Sequence, residues 1–182
     1  MSRIGKLPVA IPAGVTVSYE NGLITVKGAK GTLTQKVSGE IDIKVEGAEA
    51  HVVTTGTAPE TNAKHGLYRA LLHNMVVGVT EGYKKTLKVN GVGWKVAKQG
   101  NKLVLNVGFS HPVEFPEPAG IKLECPSQNE IAVSGIDKTL VGQTAANIRE
   151  IRLPEPYHGY GIAYSDEVIE RKEGKTGGKG KK

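Results

Sequence analysis

Cysteine is almost absent from these 182 residues. Cys125 stands alone, so no intramolecular disulfide can staple the fold, and no Cys/His group has the spacing of a structural zinc site. A reducing compartment is the natural setting, and no metal or other cofactor is expected. Aromatic side chains make up only 5%, so a core has to be built mainly from aliphatic residues. No apolar run reaches the length of a membrane span. The opening "MSRIGKLPVAIPAG" carries Pro8 and Pro12 where a secretory leader needs continuous apolar sequence. The expectation is a soluble, cytoplasmic protein with no membrane contact.

Catalytic motifs are missing as well. "EGKTGGKG" ends like a phosphate-binding loop at Gly174, Lys175 and Thr176, but Ile169 occupies the position of the glycine that lets backbone amides wrap a phosphate. "GVGWKV" has Gly91 and Gly93 but Val96 in place of the third glycine of a dinucleotide fingerprint. In "GFSHP" a nucleophile elbow would need glycine at Pro112, and neighbours such as Ser110 and His111 point apart on an extended chain. His65 and His73 have no third ligand in sight and read as surface or half-buried side chains. No carboxylate pair suggests general acid/base chemistry, so neither an enzyme nor a small-molecule substrate is expected.

Short alternating segments dominate the first half: "VTVSY" (15–19), "LITVK" (23–27), "TLTQKV" (32–37), "IDIKV" (41–45) and "AHVVT" (50–54), separated by Gly-rich turns. Over 62–79 the period changes to a helical one, with Leu67, Leu71 and Met75 on the expected buried stripe beside Ala70 and Val79. The order then returns: "KTLKV" (85–89), "GWKVAK" (93–98), "KLVLNV" (102–107), "IKLEC" (121–125), "EIAVS" (130–134), and a helix over 138–151 striped by Val141, Ala145 and Ile148 with Asp137 as N-cap. Ile41, Ile43 and Val53 repeat as Ile121, Leu123 and Val133 at a constant offset of 80. This pattern predicts an α+β chain of two tandem, duplicated domains, each a short antiparallel sheet packed with one helix. The expected bounds are 1–81 and 82–153, with a Pro/Gly/Tyr segment and basic tail at 154–182 that fits neither domain and stays disordered until bound.

Charge is concentrated in that tail. Of the overall +6, residues 171–182 hold Arg171, Lys172, Lys175, Lys179, Lys181 and Lys182 against Glu173, a net +5; the rest is nearly balanced. Such an extension suits a polyanion. Just before it, "PEPYHGYGIAY" (154–164) joins Tyr157, Tyr160 and Tyr164 to Gly159 and Gly161, the residue types that stack on bases and let backbone approach RNA closely. Pro154 and Pro156 are expected to aim this segment away from the second domain. Arg149, Arg152 and Lys138 extend the basic surface, and Trp94 with Lys95 follows the tight turn "NGVG"; Trp94 reads equally well as core.

Five stretches, "MSRIGKLP", "GVTEGYKKTLKVNGVGWK", "GFSHPVEF", "VGQTAANIREIRLPEPY" and "RKEGKTGGKGKK", together resemble the L-six family of bacterial-type large-subunit ribosomal proteins along the whole chain. The resemblance implies a duplicated α+β fold. It also implies binding to 23S rRNA near the sarcin-ricin loop at the stalk base, through the second domain and tail, with neighbouring large-subunit proteins and translation factors close by. The setting would be the ribosome of a bacterium or of an organelle. The family pattern usually reads Pro-Glu-Pro-Tyr-Lys-Gly-Lys-Gly-Ile-Arg-Tyr after the second helix. Here Pro154, Glu155, Pro156, Tyr157, Gly159, Gly161, Ile162 and Tyr164 match, while His158 and Tyr160 replace lysines and Ala163 replaces arginine. The alternative reading is a free accessory protein bound to nucleic acid non-specifically by its tail.

Overall fold

The computed structural model describes residues 2–56 and 58–175. The chain forms two compact units, Met1–Tyr83 with Gly135–Thr139, and Lys84–Ser134 with Leu140–Lys182.

The first unit contains β1 (Val9–Ala10), β2 (Thr16–Glu20), β3 (Leu23–Gly28), β4 (Gly31–Lys36), β5 (Ile41–Glu46), β6 (Glu49–Thr54) and α1 (Pro59–Thr80). The strands form two antiparallel sheets, ordered β1-β6-β5 and β2-β3-β4. Local sequence sets the register. Asn21 and Gly22, with φ of 50° and 76°, form the two-residue turn that pairs Glu20 with Leu23, and such turns match the natural twist of a hairpin. Alternation then turns Val17, Ile24 and Val26 inward, into a core shared with Ile41, Ile43 and Val52.

Helix α1 completes this core, but not along the stripe expected from sequence. Thr61, His65, Tyr68, Leu72, Met75, Val76 and Val79 are buried, whereas Leu67 is 52% exposed and Leu71 only partly buried. Met75 and Val79 lie on both stripes; the rest of the buried face is displaced by one residue. The apolar count could not find it, because polar groups hold part of the face. His65 Nε2 donates to the Val52 carbonyl at 2.8 Å, and the Tyr68 hydroxyl accepts the Ser38 N–H at 2.8 Å. His65 is thus 2% exposed rather than a surface histidine. Leu72→Ala should cost about 2–5 kcal/mol of stability and Leu67→Ala less than about 0.5 kcal/mol, as read by urea denaturation.

The second unit contains β7 (Tyr83–Asn90, from Lys84 onward), β8 (Lys95–Gln99), β9 (Lys102–Asn106), β10 (Val113–Pro116), β11 (Ile121–Ser127), β12 (Glu130–Gly135, to Ser134), most of α2 (Lys138–Ile151) and β13 (Gly161–Tyr164). Its sheets run β10-β9-β8 and β11-β12-β7-β13. The duplication is visible in these orders: β5-β6-β1 answers to β11-β12-β7, and β2-β3-β4 to β8-β9-β10. Strand β13 is the addition without a counterpart. Strands β1 and β10 were also not foreseen, the first being too short to show alternation and the second ending in proline. On α2 the predicted residues Val141, Ala145 and Ile148 are buried, together with Thr144, and the Asp137 carboxylate caps the helix by accepting the Thr139 N–H at 2.8 Å.

Candidate nucleic-acid interface

The Pro/Gly/Tyr segment does not leave the second unit. After α2 the chain turns back, and β13 pairs antiparallel with β7, setting Gly161 opposite Asn90 and Tyr164 opposite Leu87. The Ile162 N–H donates to the Arg152 carbonyl at 2.8 Å, and the Glu155 N–H donates to the Tyr160 carbonyl at 3.0 Å, closing a loop over 155–160. Ile162 and Ala163 are buried, and that burial is what draws the segment in. Sequence reasoning read the prolines as directing the segment outward; they fix φ but do not choose a direction. Ala163, one of the departures from the family pattern, is therefore inside the protein. A Cβ on Gly161 would lie 2.5 Å from Pro154 N and 2.7 Å from the Leu153 carbonyl carbon, so this glycine permits the close return of the chain.

Folding the loop back presents its other side chains. Tyr157 and Tyr160 are exposed, and the His158 ring stacks on Tyr160 with centroids 5.3 Å apart and planes at 15°. Trp94 stands beside them on the β7–β8 turn, its ring lying where a side chain at Gly91 would otherwise be, with Gly108 also beneath it. The Arg152 guanidinium lies 5.8 Å from the Trp94 ring centroid and 5.2 Å from that of Phe109, a cation–π arrangement. Two clefts result. Trp94, Arg152, Leu153, Glu155 and Tyr160 line one; His158, Gly159, Tyr160 and Arg171 line the other, with Asn90, Val92 and Asn129 among its remaining walls. Tyr160 belongs to both.

Arg149 has a different position. Its guanidinium forms a two-pronged ion pair with Glu167, at 2.9 and 2.5 Å, and lies 5.6 Å from the Tyr164 ring centroid. The Glu167 carboxylate also accepts the Tyr164 N–H at 3.1 Å. The hydrogen bond from Arg149, with the Tyr164 amide adding to it, holds the Glu167 carboxyl below the usual carboxylate range, although burial opposes this. Glu167 in turn raises the Arg149 pKa. A depressed carboxyl contributes stability that is complete above its unfolded pKa of about 4.3 and is lost as pH falls through the lower folded value. Glu167→Gln should thus remove about 1 kcal/mol at neutral pH and flatten the acid limb of a stability-against-pH profile below about pH 4.3. Arg149 and Tyr164 together serve to fasten the end of β13.

A family model described as Ribosomal protein L6 matches residues 11–82 and again 90–165, once in each half of the duplication. The chain belongs to the ribosomal protein L6 family. It is 57% identical to the large ribosomal subunit protein uL6 of Ruminiclostridium cellulolyticum and 56% identical to that of Carboxydothermus hydrogenoformans, each over all of both chains. Identity to the Mesoplasma florum protein of the same name is 55%, over 98% of this chain and all of that one. These relatives are ribosomal proteins rather than enzymes.

Within this L6-family chain the remaining candidates scatter. Lys95 is exposed at the start of β8, paired in register with Asn106, and lines neither cleft. Lys138 groups with the first unit, where its ammonium lies 3.3 Å from Asn74 Oδ1 and 5.8 Å from the Tyr83 ring centroid. The tail is not structureless at its start: Arg171 lies against Gly159, and the Lys172 N–H donates to the Pro156 carbonyl at 2.7 Å. Lys175 is exposed; Lys179, Lys181 and Lys182 lie outside the described residues. Sequence reasoning missed Phe109, Asn90, Val92 and Asn129. The adjacency of Phe109 to a turn glycine was the one available hint, whereas the others become neighbours of the loop only through the pairing of β7 with β13. Among the described residues no His/Cys/Asp/Glu group could hold a metal, and no helix is long and apolar enough to cross a membrane.

Proposed function

We propose that the chain is a structural constituent of the large ribosomal subunit that binds 23S rRNA through the exposed loop face of its second unit and through its basic C-terminal segment. The observation that carries this reading is the convergence of Trp94, Arg152, His158, Tyr160 and Arg171 around two adjoining clefts. Stacking surfaces, guanidinium groups and close-lying glycine backbone are the means by which proteins hold folded or unpaired RNA. Relatives named as large-subunit proteins support the assignment to that particle. The family resemblance supplies the location: beside the sarcin-ricin loop at the stalk base, among neighbouring large-subunit proteins and near the docking site of translation factors. The function is positioning. A folded two-unit protein with fixed contacts props the RNA so that the factor-binding region keeps its shape.

Sedimentation of a native lysate through sucrose at moderate and high salt tests this directly. Stoichiometric migration with the large subunit that survives the salt wash is the expected outcome. A chain that stays at the top of the gradient, or leaves the particle at modest salt, would instead be a free accessory binder, the alternative favoured by the +5 charge of residues 171–182.

A further inference from the structure

The geometry points to the cleft between Trp94 and Tyr160 as a receptor for one unpaired nucleobase, stacked on Tyr160. This rests on the RNA-binding reading above and gives it a specific ligand.

The platform is already assembled. Glu155 Oε1 accepts both the His158 backbone N–H, at 3.0 Å, and His158 Nδ1, at 2.9 Å. The imidazole is thereby held nearly parallel to the Tyr160 ring. Tyr160 is itself fixed by the bond from Glu155 N–H to its carbonyl and by the strand that begins at the next residue. A flat ligand arriving there need not order the side chains it stacks on, which is the main saving that preorganisation brings. Histidine backs Tyr160 in the cleft lined by His158, Gly159 and Arg171, so the neighbouring cleft, lined by Tyr160 without His158, is the open side. Trp94 lines that open cleft as well, and Gly91 lets its ring lie close against the turn.

The polar groups select the ligand class. Arg152 lines the cleft as a cation, and among the described residues no hydrogen bond engages its guanidinium. Glu155 lines it as an anion. A phosphate here would meet the Glu155 carboxylate and be repelled. An uncharged heterocycle carrying both N–H donors and carbonyl acceptors satisfies Glu155 and Arg152 together while its faces stack, and that describes a nucleobase with its pairing edge free. Arg171, in the adjoining cleft, is left to meet backbone phosphate.

Equilibrium binding to protein-free 23S rRNA over a range of salt concentrations, using the full chain and two variants, tests the inference. Tyr160→Leu removes the platform and no charge. Affinity should fall about 5- to 150-fold, the range for one base stacked on an aromatic ring, with the slope of log K against log salt unchanged. Tyr160→Lys adds a cation and should not restore binding. Because Tyr160 is 40% exposed, both variants should keep the melting temperature and the far-UV circular dichroism spectrum, and a variant that loses either is replaced by Tyr160→Met. Unchanged affinity in Tyr160→Leu, or tighter binding with a steeper slope in Tyr160→Lys, would overturn the nucleobase receptor while leaving RNA binding intact; the cleft would then suit a phosphate or a protein side chain. Failure of the unmodified chain to bind would overturn both readings.

Discussion

Removal of residues 171–182 should flatten the salt dependence of RNA binding by about four units of log K per log salt. The truncation deletes six cations and one carboxylate, and each phosphate neutralised on single-stranded RNA contributes about 0.7 to the slope through released counterions. At ~0.1 M salt the loss in affinity approaches 10⁴-fold, and it shrinks toward nothing near ~1 M. Filter binding or fluorescence anisotropy across that range reads both quantities. A residual affinity with weak salt dependence should remain, carried by the aromatic and guanidinium groups of the 155–160 loop and the Trp94 turn. Loss of all binding at every salt concentration would mark the chain as a tail-only binder. An unchanged slope would show that the terminal cations do not meet phosphate.

Gly161→Ala should be the most damaging single-methyl change at the interface. The added carbon meets backbone atoms of Leu153 and Pro154, which cannot rotate aside as a side chain could, and the residue sits at φ +155°. Relief requires either β13 to part from β7 or the 152–156 turn to move. A cost of about 3 kcal/mol in urea denaturation follows from overpacking with backbone strain. RNA affinity should fall with it, although no contacting group has been removed, because Tyr157, His158 and Tyr160 lose their anchor. Gly142→Ala provides the control: it lies within α2, and nothing beyond the adjoining helix backbone comes within 4 Å of the new carbon, so it should stabilise by about 0.5–1 kcal/mol. Equal effects of the two substitutions would show that the close return at Gly161 does not hold the loop.

Charge and shape would contribute separately to binding. The net +5 of residues 171–182 would supply attraction that any polyanion feels and that salt screens. The contacts proposed for the folded loop would depend on the positions of its rings, and salt should leave them largely untouched. A chain with only the first property would coat nucleic acid indiscriminately. A chain with both can hold one RNA site in one geometry, which is what a positioning role asks of it.

Local periodicity and composition suffice for the repeating order of strands and helix, most of the aliphatic core of each unit, the Asp137 cap and the concentration of charge after residue 170. The sequence also marked Trp94, Arg152, His158 and Tyr160 as candidate RNA contacts, aromatic or cationic. Folding is what makes them neighbours. That depends on Gly161–Tyr164 adding a strand beside β7, a pairing of residues more than seventy positions apart that no window of sequence contains. The same long-range terms moved the buried face of α1 onto His65 and Tyr68, whose partners Val52 and Ser38 lie in other segments. They tied Arg149 to Glu167 and put Ala163 inside. Polar residues enter a core, and basic residues leave a binding face, when a partner elsewhere in the fold satisfies them, and a partner distant in sequence is visible only once the chain has folded.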